Sequence, residues 1–215
     1  VKASEDHPSP VLYEICRFIG LCISKVFWRI EFKGTENIPH NSTGGLLVVA
    51  NHQTYVDPVW ISLPVKRKFR YMAWDAAFEW FFVGNLMRRL GAFPIRTVGE
   101  GGKIDAMKKA LKFLRGGSML VIFPEGERCF ADGKMLTFKP GALRIAMEAG
   151  VPVMPVTIRG GNEVWARGSK YPRFGKVEII FHPPFEVKKP ERKADLDECV
   201  ENLNKRLVEI IGNSI

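Results

Sequence analysis

No stretch of this chain approaches the ~18 consecutive apolar residues from which a simple membrane-spanning helix is recognised, so no such span is expected. Cysteine is scarce. Cys16, Cys22, Cys129 and Cys199 share no C-x-x-C spacing and stand near no histidine in a zinc pattern, which argues against a metal site and suits a reducing compartment. Internal repeats and low-complexity tracts are absent. The glycine cluster Gly99-Glu100-Gly101-Gly102-Lys103 invites a phosphate-loop reading but fails it, because that pattern needs Gly at 97 and Ser or Thr at 104, where the chain has Thr97 and Ile104. The first residues carry Glu5 and Asp6 with no cleavage pattern after them, so no signal peptide is expected. The chain does not open on Met, and an upstream anchor stays open.

What is present describes a globular domain. At 215 residues, with 46% hydrophobic and 26% charged residues, the chain can bury one substantial core and is no candidate for disorder. Lys and Arg total 32 against 23 Asp and Glu, a net +9, which favours anionic partners such as phospholipid head groups, nucleotide phosphates or nucleic acid. The basic residues are scattered and no nucleic-acid motif is visible, so no nucleic-acid partner is expected.

Apolar residues from Val11 through Ile15, Phe18, Ile19, Ile23, Val26 and Phe27 to Ile30 fall at helical spacing on one broad face. Two readings stand for it: a helix packed on the domain's own core, or a helix lying in a membrane interface. Trp28 to Lys33 alternates apolar and charged, as a half-buried strand does. Ala76 to Leu90 reads as a helix apolar almost all round, either deeply buried or wetting its aromatics in lipid. Ala92 to Ile95 and Ser118 to Phe123 read as strands, and Ile104 to Leu114 as a surface helix after a flexible glycine lead. Val151 to Ile158 is a strand whose two prolines place it near an edge or a bulge. Lys176 to Phe181 closes the strands, and a charged C-terminal helix carries Leu196, Val200, Leu203, Leu207 and Ile210 on one face. Alternating strands and helices predict a single α/β domain with a mixed central sheet covered by helices.

The chemistry gathers after one short apolar run. Leu46 to Ala50 reads as a buried strand, and Asn51-His52-Gln53-Thr54-Tyr55-Val56-Asp57-Pro58 follows at once. Pro58 suits the first turn of a helix, which would make Asp57 its N-cap. On a regular helix, residues five apart point ~140° away from each other, so His52 and Asp57 can meet only if the chain bends between them. A carboxylate beside an imidazole fixes its tautomer and makes it a directed general base. The plain alternative is a capping aspartate and an ordinary turn histidine. Downstream, Pro124-Glu125-Gly126-Glu127-Arg128 leaves a buried strand at its carboxyl end, where α/β sheets bind ligands.

With these pieces placed, the chain resembles the bacterial lysophosphatidic-acid acyltransferases of the glycerolipid acyltransferase superfamily. Four blocks occur in that family's order: H-x-x-x-x-D at His52 and Asp57, Gly91-Ala92-Phe93-Pro94-Ile95-Arg96, Phe123-Pro124-Glu125-Gly126 with Arg128, and Val151-Pro152-Val153-Met154-Pro155-Val156. The resemblance implies that His52 deprotonates the free hydroxyl of 1-acyl-glycerol-3-phosphate, which attacks a thioester of coenzyme A or acyl carrier protein to give phosphatidic acid, while Asp57 orients the imidazole. It further implies that Arg96, Glu125, Gly126 and Arg128 hold the glycerol-phosphate head and that Val151, Pro152 and Pro155 lie near the acyl chain. No metal or cofactor is called for beyond the acyl donor. Cys129 needs no catalytic role.

The same resemblance implies residues 1–33 as an amphipathic membrane-interface segment and 34–215 as the catalytic domain, held peripherally or monotopically on the cytoplasmic face of an anionic membrane. Three departures from the family pattern stand out: Glu127 replaces a frequent Thr, Thr97 a second basic residue, and the pair Trp74-Asp75 lysines that help bind phosphate. They leave room for a different lysolipid acceptor. A non-catalytic lipid-binding protein of the same fold is the remaining alternative.

Overall fold

The run Leu46–Ala50 contains no polar residue, and both of its faces are buried, as a strand flanked by helices on two sides requires. It occupies the middle of the sheet. The computed structural model describes residues 10–40, 42–67, 69–79, 81–95, 100–130 and 132–215. Among them, seven strands form one sheet: β1 (Glu31–Lys33), β2 (Leu46–Ala50), β3 (Phe69–Trp74), β4 (Ala92–Ile95), β5 (Met119–Ile122), β6 (Val153–Arg159) and β7 (Glu178–Phe181), in the spatial order β1-β7-β6-β2-β5-β3-β4. Every pairing is parallel except β6 with β7. The sheet is therefore mixed and the fold α/β, as expected.

The helices are α1 (Pro10–Trp28), α2 (Asp57–Ser62), α3 (Phe81–Arg89), α4 (Glu100–Arg115), α5 (Gly141–Ala149), α6 (Gly161–Val164) and α7 (Leu196–Gly212). Side chains alternate along β2. Leu46, Val48 and Ala50 face a cluster with Trp60 and Ile61 of α2, against which Tyr13, Leu21 and Trp28 of α1 also pack. Leu47 and Val49 face the opposite cluster, built with Phe113 and Leu114 of α4, Leu143 of α5 and Leu207 of α7. α2 follows β2 onto one face while the segment after β5 leads to α5 on the other, and the carboxyl ends of these two neighbouring strands are where sheets of this kind take ligands.

Several expectations are corrected. The stretch Trp28 to Lys33 is a strand only from Glu31; Trp28 ends α1, and Arg29 turns the chain with φ 41°. Ala76 to Leu90 is no continuous helix. A 3₁₀ turn over Asp75–Phe78 precedes α3, and Gly84 lets α3 fold back onto the Phe78 carbonyl, a spot with no room for a Cβ. Phe78 is buried while Phe82 is exposed, so the aromatics of this stretch divide between core and surface. The glycine lead before Ile104 is helical from Glu100.

The largest correction concerns β6, which lies between β2 and β7 and not at an edge. Pro152 precedes the strand, and its carbonyl accepts from Leu47 N. Pro155 turns its carbonyl toward the β7 side, where His182 N donates to it, one residue before the β6–β7 ladder begins at Val156. A residue's N–H and C=O share one side of a strand, so the missing donor of Pro155 takes nothing from the ladder with β2.

Candidate active site

The turn after β2 is built from short polar side chains that fold back on their own backbone. Asp57 is fully buried, and its carboxylate accepts four hydrogen bonds: Oδ2 from His52 Nδ1 (2.8 Å), Gln53 N (2.6 Å) and Thr54 N (2.8 Å), and Oδ1 from Thr54 Oγ1 (2.6 Å). An ionised carboxylate is an acceptor only, so this network places the imidazole proton on Nδ1 and leaves the Nε2 lone pair free. The helix α2 is capped by Val56, and Asp57 is its first residue with Pro58 behind it. Asp57 therefore closes the preceding turn through its side chain and does not serve as the N-cap.

Other elements hold His52 from the remaining directions. Phe123, just past β5, stacks on the imidazole at 4.0 Å and 19°. The backbone N of His52 donates to Glu125 Oε1 (2.6 Å), and its carbonyl accepts from Cys129 N (2.8 Å). Behind the turn, Asn51 reproduces a strand neighbour: its side chain donates to the Ile158 carbonyl and accepts from Ile158 N, at 2.9 and 2.8 Å. Gln53 Oε1 accepts from Asn162 N, and Gly161 packs so closely on Gln53 and Thr54 that a larger residue would displace them. Asn51, Gln53 and Thr54 are buried. Sequence reasoning passed over them, although three polar residues directly after an all-apolar strand must find partners when buried.

The remaining expected site residues divide. Arg128 lies beside the turn, its guanidinium carbon 3.5 Å above the Tyr55 ring, and its buried Nη1 has no partner among the described residues. Such a donor is costly to bury unless a ligand oxygen meets it. Gly126 is exposed at φ 78° and leaves space that the Lys139 amine fills. Glu125 is buried, and its second oxygen accepts from Leu136 N (2.7 Å), so both oxygens are occupied by backbone donors of separate loops. Burial pushes its carboxyl up, against the pull of the Leu136 and His52 N–H groups. It staples the Phe123–Arg128 segment to the His52–Asp57 turn. Arg96 lies outside the described residues.

Val151, Pro152 and Pro155 are not brought to the histidine. β6 runs parallel to β2 with Val153 opposite Leu47, so Val151 and Pro152 stand at the far end of the strands, six to seven residues and at least roughly 20 Å from the level of His52 at ~3.3 Å per residue. Pro155 sits inside the sheet opposite Val49.

Two further observations bear on the chemistry. The added negative charge of Glu127 is matched by Arg167, whose Nη1 donates to its carboxylate (2.8 Å) and to the Arg128 carbonyl (3.1 Å). Cys129 is buried, and burial with Glu125 and Asp57 nearby pushes its thiol up to about 11, so it remains protonated at neutral pH and is a poor nucleophile. Among the described residues no group of His, Cys, Asp and Glu is arranged to hold a metal ion.

The arrangement thus sets a base with a directed tautomer beside a guanidinium whose Nη1 is unpartnered among the described residues, off the carboxyl end of a central strand. The profile of the family described as Acyltransferase matches residues 29–159. The chain belongs to this acyltransferase family. It is similar to the crystal structure of the 1-acyl-sn-glycerophosphate acyltransferase PlsC from Thermotoga maritima, at 30% identity and a TM-score of 0.72, over 92% of this chain and 78% of that one. It is 25% identical to the 1-acyl-sn-glycerol-3-phosphate acyltransferase of Bacillus subtilis over 93% of this chain and 96% of the relative, and 30% identical to a chloroplast enzyme of the same name from Arabidopsis thaliana over 77% of this chain and 46% of the relative. The chain spans about half the length of such chloroplast relatives. The His52–Asp57 turn and the segment ending at Arg128 both fall inside the matched span.

Proposed function

We propose that this acyltransferase moves a fatty acyl group from acyl-CoA or acyl carrier protein to the free hydroxyl of 1-acyl-glycerol-3-phosphate, giving phosphatidic acid. The carrying observation is the His52 imidazole, its Nδ1–H held on a buried, four-times hydrogen-bonded carboxylate while Nε2 remains free. The acceptor hydroxyl gives its proton to Nε2, and its oxygen attacks the thioester carbonyl. As the tetrahedral intermediate collapses, the C–O ester bond remains, the C–S bond breaks and the thiol leaves with the proton from the imidazolium. The Asp57 charge stabilises that imidazolium. Arg128 Nη1 takes a phosphate oxygen of the acceptor, with Arg96 as its expected partner by sequence position, since guanidinium suits phosphate geometry.

A lysolipid acceptor resides in a bilayer, and α1 is suited to meet one. Val11, Ile15, Phe18, Ile19, Ile23 and Val26 are 44–69% exposed on its outer face. Leaving them in water forgoes roughly 1.5–3 kcal/mol per side chain relative to full burial, part of which a lipid interface restores. No described helix is long and apolar enough to cross a membrane. We therefore place α1 in the plane of an anionic membrane surface, on the cytoplasmic side where the acyl donors are found. The test is a product assay of the purified protein with one acyl-CoA and a panel of lysolipids. Phosphatidic acid formed from lysophosphatidic acid in preference to other acceptors supports the reading; free fatty acid as the main product would make the protein a thioesterase.

A further inference from the structure

Residues 165–177 link α6 to β7 without regular structure, and the tip of this connection is unusual for a loop. Lys170, Tyr171, Pro172, Arg173 and Phe174 are all exposed, Tyr171 by 68% and Phe174 by 74%. The loop is nonetheless well tethered. Arg173 N donates to the Val164 carbonyl (2.7 Å), Trp165 Nε1 to the Ser169 carbonyl (3.2 Å), and Gly175 N to the Phe27 carbonyl (3.3 Å). Phe174 stacks on Phe27 of α1 with ring centroids 5.0 Å apart. Two exposed aromatics, held by backbone bonds and flanked by cations, thus extend the outer apolar face of α1 without a break. The root of the same loop reaches the catalytic turn: Trp165 meets Tyr55 edge to face at 6.0 Å, and Tyr55 carries the Arg128 guanidinium.

We propose that the tip of this loop, residues 170–174, is a second membrane-inserting element that enters an anionic phospholipid surface beside α1. The inference rests on the reading of α1 as an interfacial helix. Its occupant is lipid because the patch combines a tyrosine and a phenylalanine with Lys170 and Arg173, and α1 adds Lys25; the one acid on α1, Glu14, is paired with Arg17. Amphipathic aromatics beside basic residues are what the head-group boundary favours. Two elements joined through the Phe27–Phe174 stack fix the angle of the domain on the surface, which one helix does not. The loop root then brings the side of the site that carries Tyr55 and Arg128 toward the lipid that holds the acceptor.

The test uses the full chain with vesicles of phosphatidylcholine containing phosphatidylglycerol. Tyr171→Ser with Phe174→Ser is expected to weaken vesicle sedimentation on the order of tenfold or more while the melting temperature stays near that of wild type. Lys170→Glu with Arg173→Glu, at side chains fully on the surface, is expected to weaken binding at low salt and to lose its effect as salt screens the charges. Activity on a short-chain, water-soluble lysolipid should be retained by both variants, and activity on vesicle-embedded lysolipid reduced. Wild-type sedimentation in both variants overturns the proposal for the loop. If Phe18→Glu alone then abolishes binding, the α1 reading survives; if wild type itself fails to sediment, both fall. Self-association of wild type that the aromatic variant abolishes, with vesicle binding unchanged, would assign the patch to a second copy of the chain and also overturn it.

Discussion

The turn after β2 and the helix α1 are opposite solutions to the same problem. In the turn, polar groups are buried and saturated: Asp57 accepts four donors, Glu125 two, and Asn51 both donates and accepts across to β6. In α1, apolar groups are left exposed while its inner face contacts the domain through Tyr13, Gly20, Leu21, Ser24 and Trp28. Buried polar groups must be paired to be tolerated, and saturation on all sides also makes the histidine rigid. Unpaired features, the outer face of α1 and the Arg128 Nη1, mark where something outside the chain completes the structure. On the proposed function, the saturated region does the chemistry and the unsaturated ones meet ligands.

Breaking the saturated region should give the largest effects. His52→Ala is expected to lower acyl transfer about 10²–10⁴-fold, the usual worth of a general base, with the fold retained because the imidazole is only partly buried. Asp57→Asn should match that loss and also cost stability. It removes the charge that orients His52 and confronts backbone donors with an amide N–H₂, about 1.5–3 kcal/mol for each charged hydrogen bond forfeited. Turnover and thermal melts of the two variants, measured side by side, check the pair. A folded His52→Ala enzyme within threefold of wild type would remove the mechanism.

The guanidinium comes next. Arg128→Ala should raise the acceptor KM roughly ten- to a hundredfold, the loss of a charge-assisted contact to phosphate, with little change in the KM for acyl-CoA. Glu125→Gln gives a smaller and different signature. One of its two backbone donors would face an N–H₂ group, so stability should fall by about 1–3 kcal/mol and kcat should fall as His52 loses its backbone anchor, while acceptor KM changes little. A rise in acceptor KM at constant melting temperature would instead make Glu125 a contact to the head group.

The sequence made some of this legible and hid the rest for identifiable reasons. His52 and Asp57 could be paired because a strand-to-helix turn was the one local geometry that let residues five apart meet. The cap assignment failed since Asp57 makes its bonds backward into the turn, one residue inside the helix. The stapling role of Glu125 had no local signal, its partner His52 N being 73 residues away. The two prolines pointed β6 to an edge or a bulge, by a rule that holds only for the side on which the donor is missing. A basic run such as Lys66 to Arg70 is usually just a solvated face, yet Arg67 donates to the carbonyls of Pro39, Gly44 and Gly117, and Arg70 is buried over Phe113; periodicity carries no trace of such clamps. On α1 the apolar stripe was seen, but its direction depends on which face the domain can accept, and a small residue decides that: a Cβ at Gly20 would stand 2.9 Å from Leu63 Cδ2.

That last point separates the two faces of one helix and gives the smallest expected stability change. Phe18→Glu with Val26→Glu places two charges at positions 68% exposed, so thermal stability should stay within about 0.5 kcal/mol of wild type, as for surface substitutions generally. Val26 serves better here than Phe27, whose stack on Phe174 adds a contribution of its own. The same substitution on the inner face, Leu21→Glu, buries a charge against the core cluster and should destabilise by several-fold more. Binding to anionic vesicles should invert the order, being lost in the outer-face variant and retained by whatever fraction of Leu21→Glu remains folded. If the outer-face variant melts as early as Leu21→Glu, the exposed stripe is needed to hold the fold together, and α1 belongs to the core.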